Sequence, residues 1–185
     1  SVGPAWIENS AYFASIQHSI YAAVTVGDVN GDSLPDVISG DLNGGLFFHR
    51  NNGTGFSYIS NIFSGIDLGD WSAPVLIDMD NDSDLDIFLS VSSSSFFGSA
   101  GTIIMQNAGN GTFVSTQSGL PHFHLSSADW GDYDNDGDLD LVLSGADGYH
   151  TYAPAFTDIY QNDGQGNLTN LNLNLPGIQN GSSIW

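Results

Sequence analysis

Cysteine is absent from the 185-residue chain, so neither a disulfide framework nor a thiolate-bound metal contributes to its fold. Basic residues are almost absent as well: Arg50 stands alone against 21 acidic residues, for a formal net charge of −20. Such a chain has no positive surface with which to neutralise phosphates or an anionic membrane, which excludes nucleic acid as a partner. No apolar run reaches the roughly 18 residues that span a bilayer, and the N-terminal SVGPAWIENS lacks the charged start and apolar stretch of a signal peptide. Glu8 is the sole glutamate, and neither a Gly-x-Ser-x-Gly elbow nor a His-Glu-x-x-His pair occurs. With no nucleophile beside a base, a non-catalytic protein is expected.

What remains is ample for a packed domain: 41% of residues are apolar and 12% aromatic. The surface must then be made of Asn, Ser, Thr, Gly and Asp, a composition that suits a secreted or surface-displayed protein. A charge of −20 on so small a body opposes compaction by self-repulsion unless cations are bound as part of the structure.

The acidic residues are not scattered. Three segments align on one frame: GDVNGDSLPDVISG from Gly27, IDMDNDSDLDIFLS from Ile77 and GDYDNDGDLDLVLS from Gly131. Their first aspartates, Asp28, Asp78 and Asp132, lie 50 and 54 residues apart. After each comes a short apolar run (from Asp36, Asp86 and Asp140) and then a second (from Gly45, Thr102 and Asp158), both with strand character. Gly/Asn turns follow at Asn51–Phe56, Asn107–Phe113 and Asn162–Leu168, the chemistry of a hairpin leading into another strand. With the run before each acidic loop (Ala22 to Val26, Pro74 to Ile77), every repeat of about fifty residues offers four short strands, the arithmetic of a propeller blade. The prediction is an all-β fold of β-propeller blades, each of four antiparallel strands. About three and a half blades are expected: a half-blade at 1–20 that includes Trp6 and Tyr12, then blades at 21–70, 71–124 and 125–180. Trp185 falls where Trp71 falls in the second repeat.

Within each loop, side-chain oxygens stand at positions 1, 3, 5 and 9: Asp28, Asn30, Asp32 and Asp36; Asp78, Asp80, Asp82 and Asp86; Asp132, Asp134, Asp136 and Asp140. Position 7 would add a backbone carbonyl from Leu34, Asp84 or Asp138. Several charged, hard oxygen ligands in a tight loop suit calcium, and three calcium sites are predicted; a rigid octahedral magnesium site matches so many carboxylates less well. An EF-hand shares the first positions but needs a bidentate Glu at position 12 and flanking helices, whereas here position 12 is Ser39, Leu89 or Leu143 inside a strand. Position 6 favours Gly for its sharp turn and is Ser33, Ser83 and Gly137, so the third loop should be the least strained. Thirteen acidic residues lie in the loops and would repel one another at neutral pH without a cation.

These motifs, with the NAGNGTF turn, resemble the FG-GAP/VCBS repeat family, the calcium-loop blades of integrin-α-like β-propellers. The likeness covers nearly the whole chain, although the Phe-Gly and Gly-Ala-Pro signatures are poorly kept and the DND loops are closer to the VCBS variety. It implies an extracellular propeller used for cell adhesion or for binding a protein or glycan, or one that serves as the accessory module of a secreted polysaccharide-degrading enzyme. Another expectation is a structural subunit that self-assembles through open blade edges into a ring or filament.

Weaker signals are Phe96, Phe97, Tyr149, His150 and Tyr152 in lengthening loops, where aromatic rings could stack on sugars or pack on a neighbour. The pair in Pro121-His-Phe-His124 falls on one strand face, but no third ligand accompanies it. Asn-x-Ser/Thr sequons occur at Asn52, Asn81, Asn110, Asn167 and Asn180; turn geometry accounts for Asn52, Asn110 and Asn167 first.

Overall fold

The structure, a computed structural model, describes residues 23–40, 45–60, 62–63, 70–92, 102–117, 120, 124–146 and 154–178. Twelve strands and no helix occur among them. They form three antiparallel sheets of four, each in simple chain order. The first blade holds β1 (Ala23–Gly27), β2 (Asp36–Gly40), β3 (Leu46–Asn51) and β4 (Phe56–Ile59). The second holds β5 (Asp70–Ile77), β6 (Asp86–Ser92), β7 (Thr102–Asn107) and β8 (Phe113–Gln117). The third holds β9 (His124–Gly131), β10 (Asp140–Ala146), β11 (Ala155–Asn162) and β12 (Leu168–Asn170). The expected four-stranded propeller-like blades are therefore present. The proposed half-blade at 1–20 lies outside the described residues, as do Phe96, Phe97, Tyr149, His150, Tyr152, Asn180, Trp185 and most of the Pro121–His124 motif.

Alternation along the strands shows why the central runs are apolar throughout. A strand points successive side chains to opposite faces, so a strand covered on both sides reads as a continuous hydrophobic stretch. On β6, Ile87 and Leu89 pack with Val29, Ile38, Leu46, Phe48 and Phe63 of the first blade's side, while Phe88 between them packs with Leu141, Leu143 and Tyr160 of the third. The core thus consists of two apolar layers, one in each joint between blades. Full burial of one such side chain contributes about 1.5–3 kcal/mol.

The first strands of the second and third blades follow the same division. Leu76 of β5 packs back on the first layer and Val75 beside it packs forward into the second. Trp130 of β9 takes the place of Leu76 in the third blade and meets Phe88 edge-to-face, with ring centroids 5.4 Å apart. At the register position of Met105 and Tyr160 the first blade carries His49, buried, with neither ring nitrogen hydrogen-bonded. It lies 5.6 Å from the Tyr58 ring, and burial pushes its pKa down.

A polar bond crosses each joint beside the apolar layer. Asn107, at the end of β7, donates from Nδ2 to the Leu85 carbonyl of its own loop (3.0 Å) and to the Val29 carbonyl of the preceding blade (2.8 Å). Asn162, at the end of β11, does the same to Leu139 (3.0 Å) and to Met79 (2.8 Å). Their Oδ1 atoms accept from Gly109 and Gly164 and so close the following turns. Asn107→Ala removes these bonds from a buried site and leaves two carbonyls unsatisfied, so it is expected to cost about 3 kcal/mol in urea unfolding. Asn110→Ala, three residues on and exposed, is expected to cost under about 1 kcal/mol because its side chain only braces its own turn.

Candidate metal centre

Each acidic loop joins the first and second strands of its blade, and backbone conformation sets its shape. Positions 4 and 6 are left-handed in all three: Gly31 (φ 75°) and Ser33 (66°), Asn81 (59°) and Ser83 (74°), Asn135 (61°) and Gly137 (99°). Asn tolerates this region better than most residues with a side chain, which fits it to position 4, whereas Ser at position 6 carries a steric cost that Gly137 does not. The two reversals turn the loop's N–H groups inward onto the first aspartate. Asp28 accepts from Gly31 (2.9 Å) and Asp32 (3.1 Å) at Oδ1 and from Ser33 (2.6 Å) at Oδ2. Asp78 accepts from Ser83 (3.1 Å), and Asp132 from Asp136 (3.1 Å) and Gly137 (3.2 Å). The carboxylates at position 5, Asp32, Asp82 and Asp136, each accept from the N–H of position 7.

This arrangement gathers side-chain oxygens. Asp78, Asp80 and Asp82 bring one carboxylate oxygen each to within 4.8 Å of the others, and Asp132, Asp134 and Asp136 do likewise. The first loop lacks a third carboxylate at these positions because Asn30 stands between Asp28 and Asp32; its amide donates to Asp36 Oδ2 at 2.8 Å. In the second loop, Asp78 Oδ1 and Asp80 Oδ1 are buried with no hydrogen-bond partner. Burial and the neighbouring charges of Asp82 and Asp78 push the Asp80 pKa up. Two buried, unpartnered carboxylate oxygens beside a third carboxylate are a poor arrangement in isolation and a good one around a cation. The residues present therefore fit a hard divalent metal.

The aspartates at position 9 lie beneath the loops, fully or almost fully buried. Each bridges two backbone N–H groups. Asp36 accepts from Val29 (3.2 Å) and Asn51 (2.7 Å), Asp86 from Met79 (3.2 Å) and Asn107 (2.8 Å), and Asp140 from Tyr133 (2.8 Å) and Asn162 (2.9 Å). Desolvation outweighs these bonds at Asp86 and pushes its pKa up to about 6; Asp36 moves the same way for the same reason. Position 7 turns its side chain elsewhere. Asp84 and Asp138 lie so close to Gly109 and Gly164, both left-handed, that an added Cβ would sit 2.6 Å from a carboxylate oxygen. Asp138 Oδ1 also accepts from Asn81 of the preceding blade's loop at 2.6 Å.

One element escaped the sequence reading. The residue before each buried strand-end Asn reaches into the loop of its own blade. Gln106 Nε2 donates to Asp80 Oδ2 (3.3 Å), Gln161 Nε2 to Asp134 Oδ2 (2.6 Å), and Arg50 Nη2 to Asp32 Oδ2 (3.2 Å). Against the desolvation that would raise it, the Leu34 N–H and the Arg50 guanidinium hold the Asp32 carboxyl below its usual range. The signal was a long polar residue at a fixed place ahead of each turn. At the sequons, Asn52 and Asn110 accept from Thr54 and Thr112 within their own turns, and Asn167 bonds Asp163.

A family model described as an FG-GAP-like repeat matches the chain twice, over residues 28–89 and 91–143. No curated protein matches the chain.

Two measurements test this description of the loops. Ser33→Gly and Ser83→Gly relieve left-handed serines, and each is expected to raise stability by about 0.5–1 kcal/mol after the added freedom of the unfolded chain is counted. The matching change Gly137→Ser should lower it by a similar amount. In chelated protein Asp86 holds its proton more tightly folded than unfolded, so its contribution is present at low pH and is lost as pH rises from about 4 through about 6. The metal-free chain is therefore expected to be more stable near pH 5 than near pH 7.5, by roughly 1 kcal/mol from Asp86 alone, in paired denaturant titrations.

Proposed function

The chain belongs to the FG-GAP-like repeat family, and from that footing we propose that it is a calcium-stabilised, propeller-like binding module that acts outside the cell on a protein or glycan, not as an enzyme. The observation that carries the calcium reading is the pair of buried, unpartnered oxygens, Asp78 Oδ1 and Asp80 Oδ1, facing a third carboxylate. In each loop positions 1, 3 and 5 would supply side-chain oxygens, and position 7 the carbonyl of Leu34, Asp84 or Asp138. An ionised carboxylate offers about four lone-pair sites. Asp36, Asp86 and Asp140 therefore keep capacity for a metal beyond their two backbone bonds. Bound calcium would offset the mutual repulsion of the thirteen loop acids and cut the net charge.

The extracellular reading draws on the composition and on the openness of the loops. Positions 4 to 6 are solvent-exposed in all three, which suits the weak, roughly 10⁻⁴–10⁻³ M affinities of extracellular calcium modules. Binding in place of catalysis is favoured because the carboxylates that would have to act as acid and base are the ones gathered in the loops. No sequence feature adds a nucleophile.

Thermal unfolding with excess calcium and again with chelator tests the proposal. A site filled at about a hundred times its Kd adds roughly 2.7 kcal/mol, and a chain of this size gains about 2–4 °C per kcal/mol. Three such sites predict a fall in the midpoint of the order of 10 °C or more on chelation, reversed by calcium and weakly by magnesium. An unchanged midpoint would overturn the calcium reading.

A further inference from the structure

Successive loops meet across the joints, and the joint between the second and third blades has a contact that the other lacks. Asn81, at position 4 of the second loop, donates from Nδ2 to Oδ1 of Asp138, at position 7 of the third, at 2.6 Å. On its other side the Asp138 carboxylate is lodged against the turn of its own blade, where a Cβ added to Gly164 would come within 2.6 Å of Oδ2. At the joint between the first and second blades, Gly31 stands in the place of Asn81 and Asp84 in the place of Asp138. Gly31 has no side chain with which to donate, and an added Cβ there would meet only the Gly109 carbonyl, at 4.0 Å.

Both partners in this bond are tied to gathered carboxylates. Asn81 lies between Asp80 and Asp82, two members of the second loop's triad, and its left-handed backbone (φ 59°) is one of the two reversals that shape that loop. The N–H of Asp138 donates to Oδ1 of Asp136 at 3.0 Å, a member of the third loop's triad. The Asp138 carbonyl is also the oxygen that position 7 would offer a cation. One hydrogen bond therefore joins the backbone that carries one triad to the residue that braces the other. The buried latch from Asn162 to Met79 crosses the same joint, but Asn107 and Val29 repeat it at the preceding one. Only the bond between loops distinguishes the two joints.

We propose that the Asn81–Asp138 bond couples the second and third loops, so that these two take up calcium together while the first loop fills on its own. The coupling rests on the calcium sites proposed above and adds how they fill. Its physical basis is ordering. An empty loop gives up backbone and side-chain freedom to enclose a cation, and a bond that fixes Asn81 against Asp138 makes the filling of either loop order part of the other. Repulsion between two bound cations acts in the opposite sense. At about 0.15 M salt the Debye length is about 8 Å, and screening weakens that repulsion in loops whose positions 4 to 6 are open to solvent. Coupling of this kind is reciprocal, and each loop of the pair should strengthen binding at the other by roughly 5–150-fold.

Amide NMR with calcium chloride as titrant, at about 0.15 M salt, tests this loop by loop. Gly31, Ser83 and Gly137 each donate an N–H to the first aspartate of their own loop, so each amide reports on one loop. In the parent chain Ser83 and Gly137 should shift over one shared calcium range, more steeply than a single-site curve and with a Hill coefficient of up to about 2. Gly31 should follow a separate single-site curve. Asn81→Gly copies the first loop, suits the left-handed backbone and removes the donor. It should still fill all three loops but return Ser83 and Gly137 to separate single-site curves. Asp138→Ala should abolish the same steepness, whatever it does to the affinity of the third loop. Single-site curves at Ser83 and Gly137 in the parent, steepness that survives either substitution, or a Gly31 signal on the shared curve would each overturn the coupling while leaving calcium binding in place. No shift at any of the three amides would overturn the calcium reading itself.

Discussion

Every blade hangs on one buried carboxylate. Asp36, Asp86 and Asp140 begin their second strands, and each holds the N–H of loop position 2 with one oxygen and the N–H of the strand-three Asn with the other. That pair of bonds fixes the loop above the sheet and sets where the third strand ends. The Asn so placed can then reach the loop of the preceding blade through its own amide. Loop, hairpin and joint are thus successive consequences of one aspartate whose ordinary preference would be for water. Its cost is visible in the raised pKa of Asp86, and removing the carboxylate would leave two buried N–H groups without partners.

Above that anchor the loops face a different constraint, which is charge density. The second gathers three carboxylates under partial cover and leaves two oxygens without a hydrogen. The first softens the problem with Asn30 and with Arg50, the chain's single cation, on Asp32. The third keeps all three carboxylates but leaves them in solvent, where water screens them. One pattern therefore spans a range of electrostatic strain, set by which blade lies over the loop as much as by the loop's own residues.

Much of this was legible in the sequence. The 50- and 54-residue spacings, the Asp ladders and the Gly/Asn turns marked out the second and third strands of every blade and the turn that leads into each fourth, because each loop and turn has chemistry that only a narrow set of residues supplies. Joints were not legible. Nothing local says that Ile87 and Phe88 belong to different apolar layers, or that an Asn in a turn motif is buried and bonds a carbonyl 78 residues away. Nor could spacing show that the carboxylates at positions 1, 3 and 5 of the second and third loops converge, or that the one at position 9 also holds two backbone N–H groups beneath its loop. Gln106, Gln161 and Arg50 were missed because they differ in type and share only a register. His49 sits at a core position with unbonded nitrogens, and nothing in the structure explains it.

The bond that crosses each joint ends on a backbone carbonyl, that of Val29 in one case and Met79 in the other. Main chain is the same whatever side chain it carries, so this latch does not care which residue occupies the position. A gene segment encoding one blade could be copied or moved within the array and its product would still find the latch it needs. The side chains at that position are then free to drift, as the difference between valine, methionine and tyrosine in three neighbouring repeats illustrates. Lengthening by duplication is, on this account, a change the architecture absorbs without redesign.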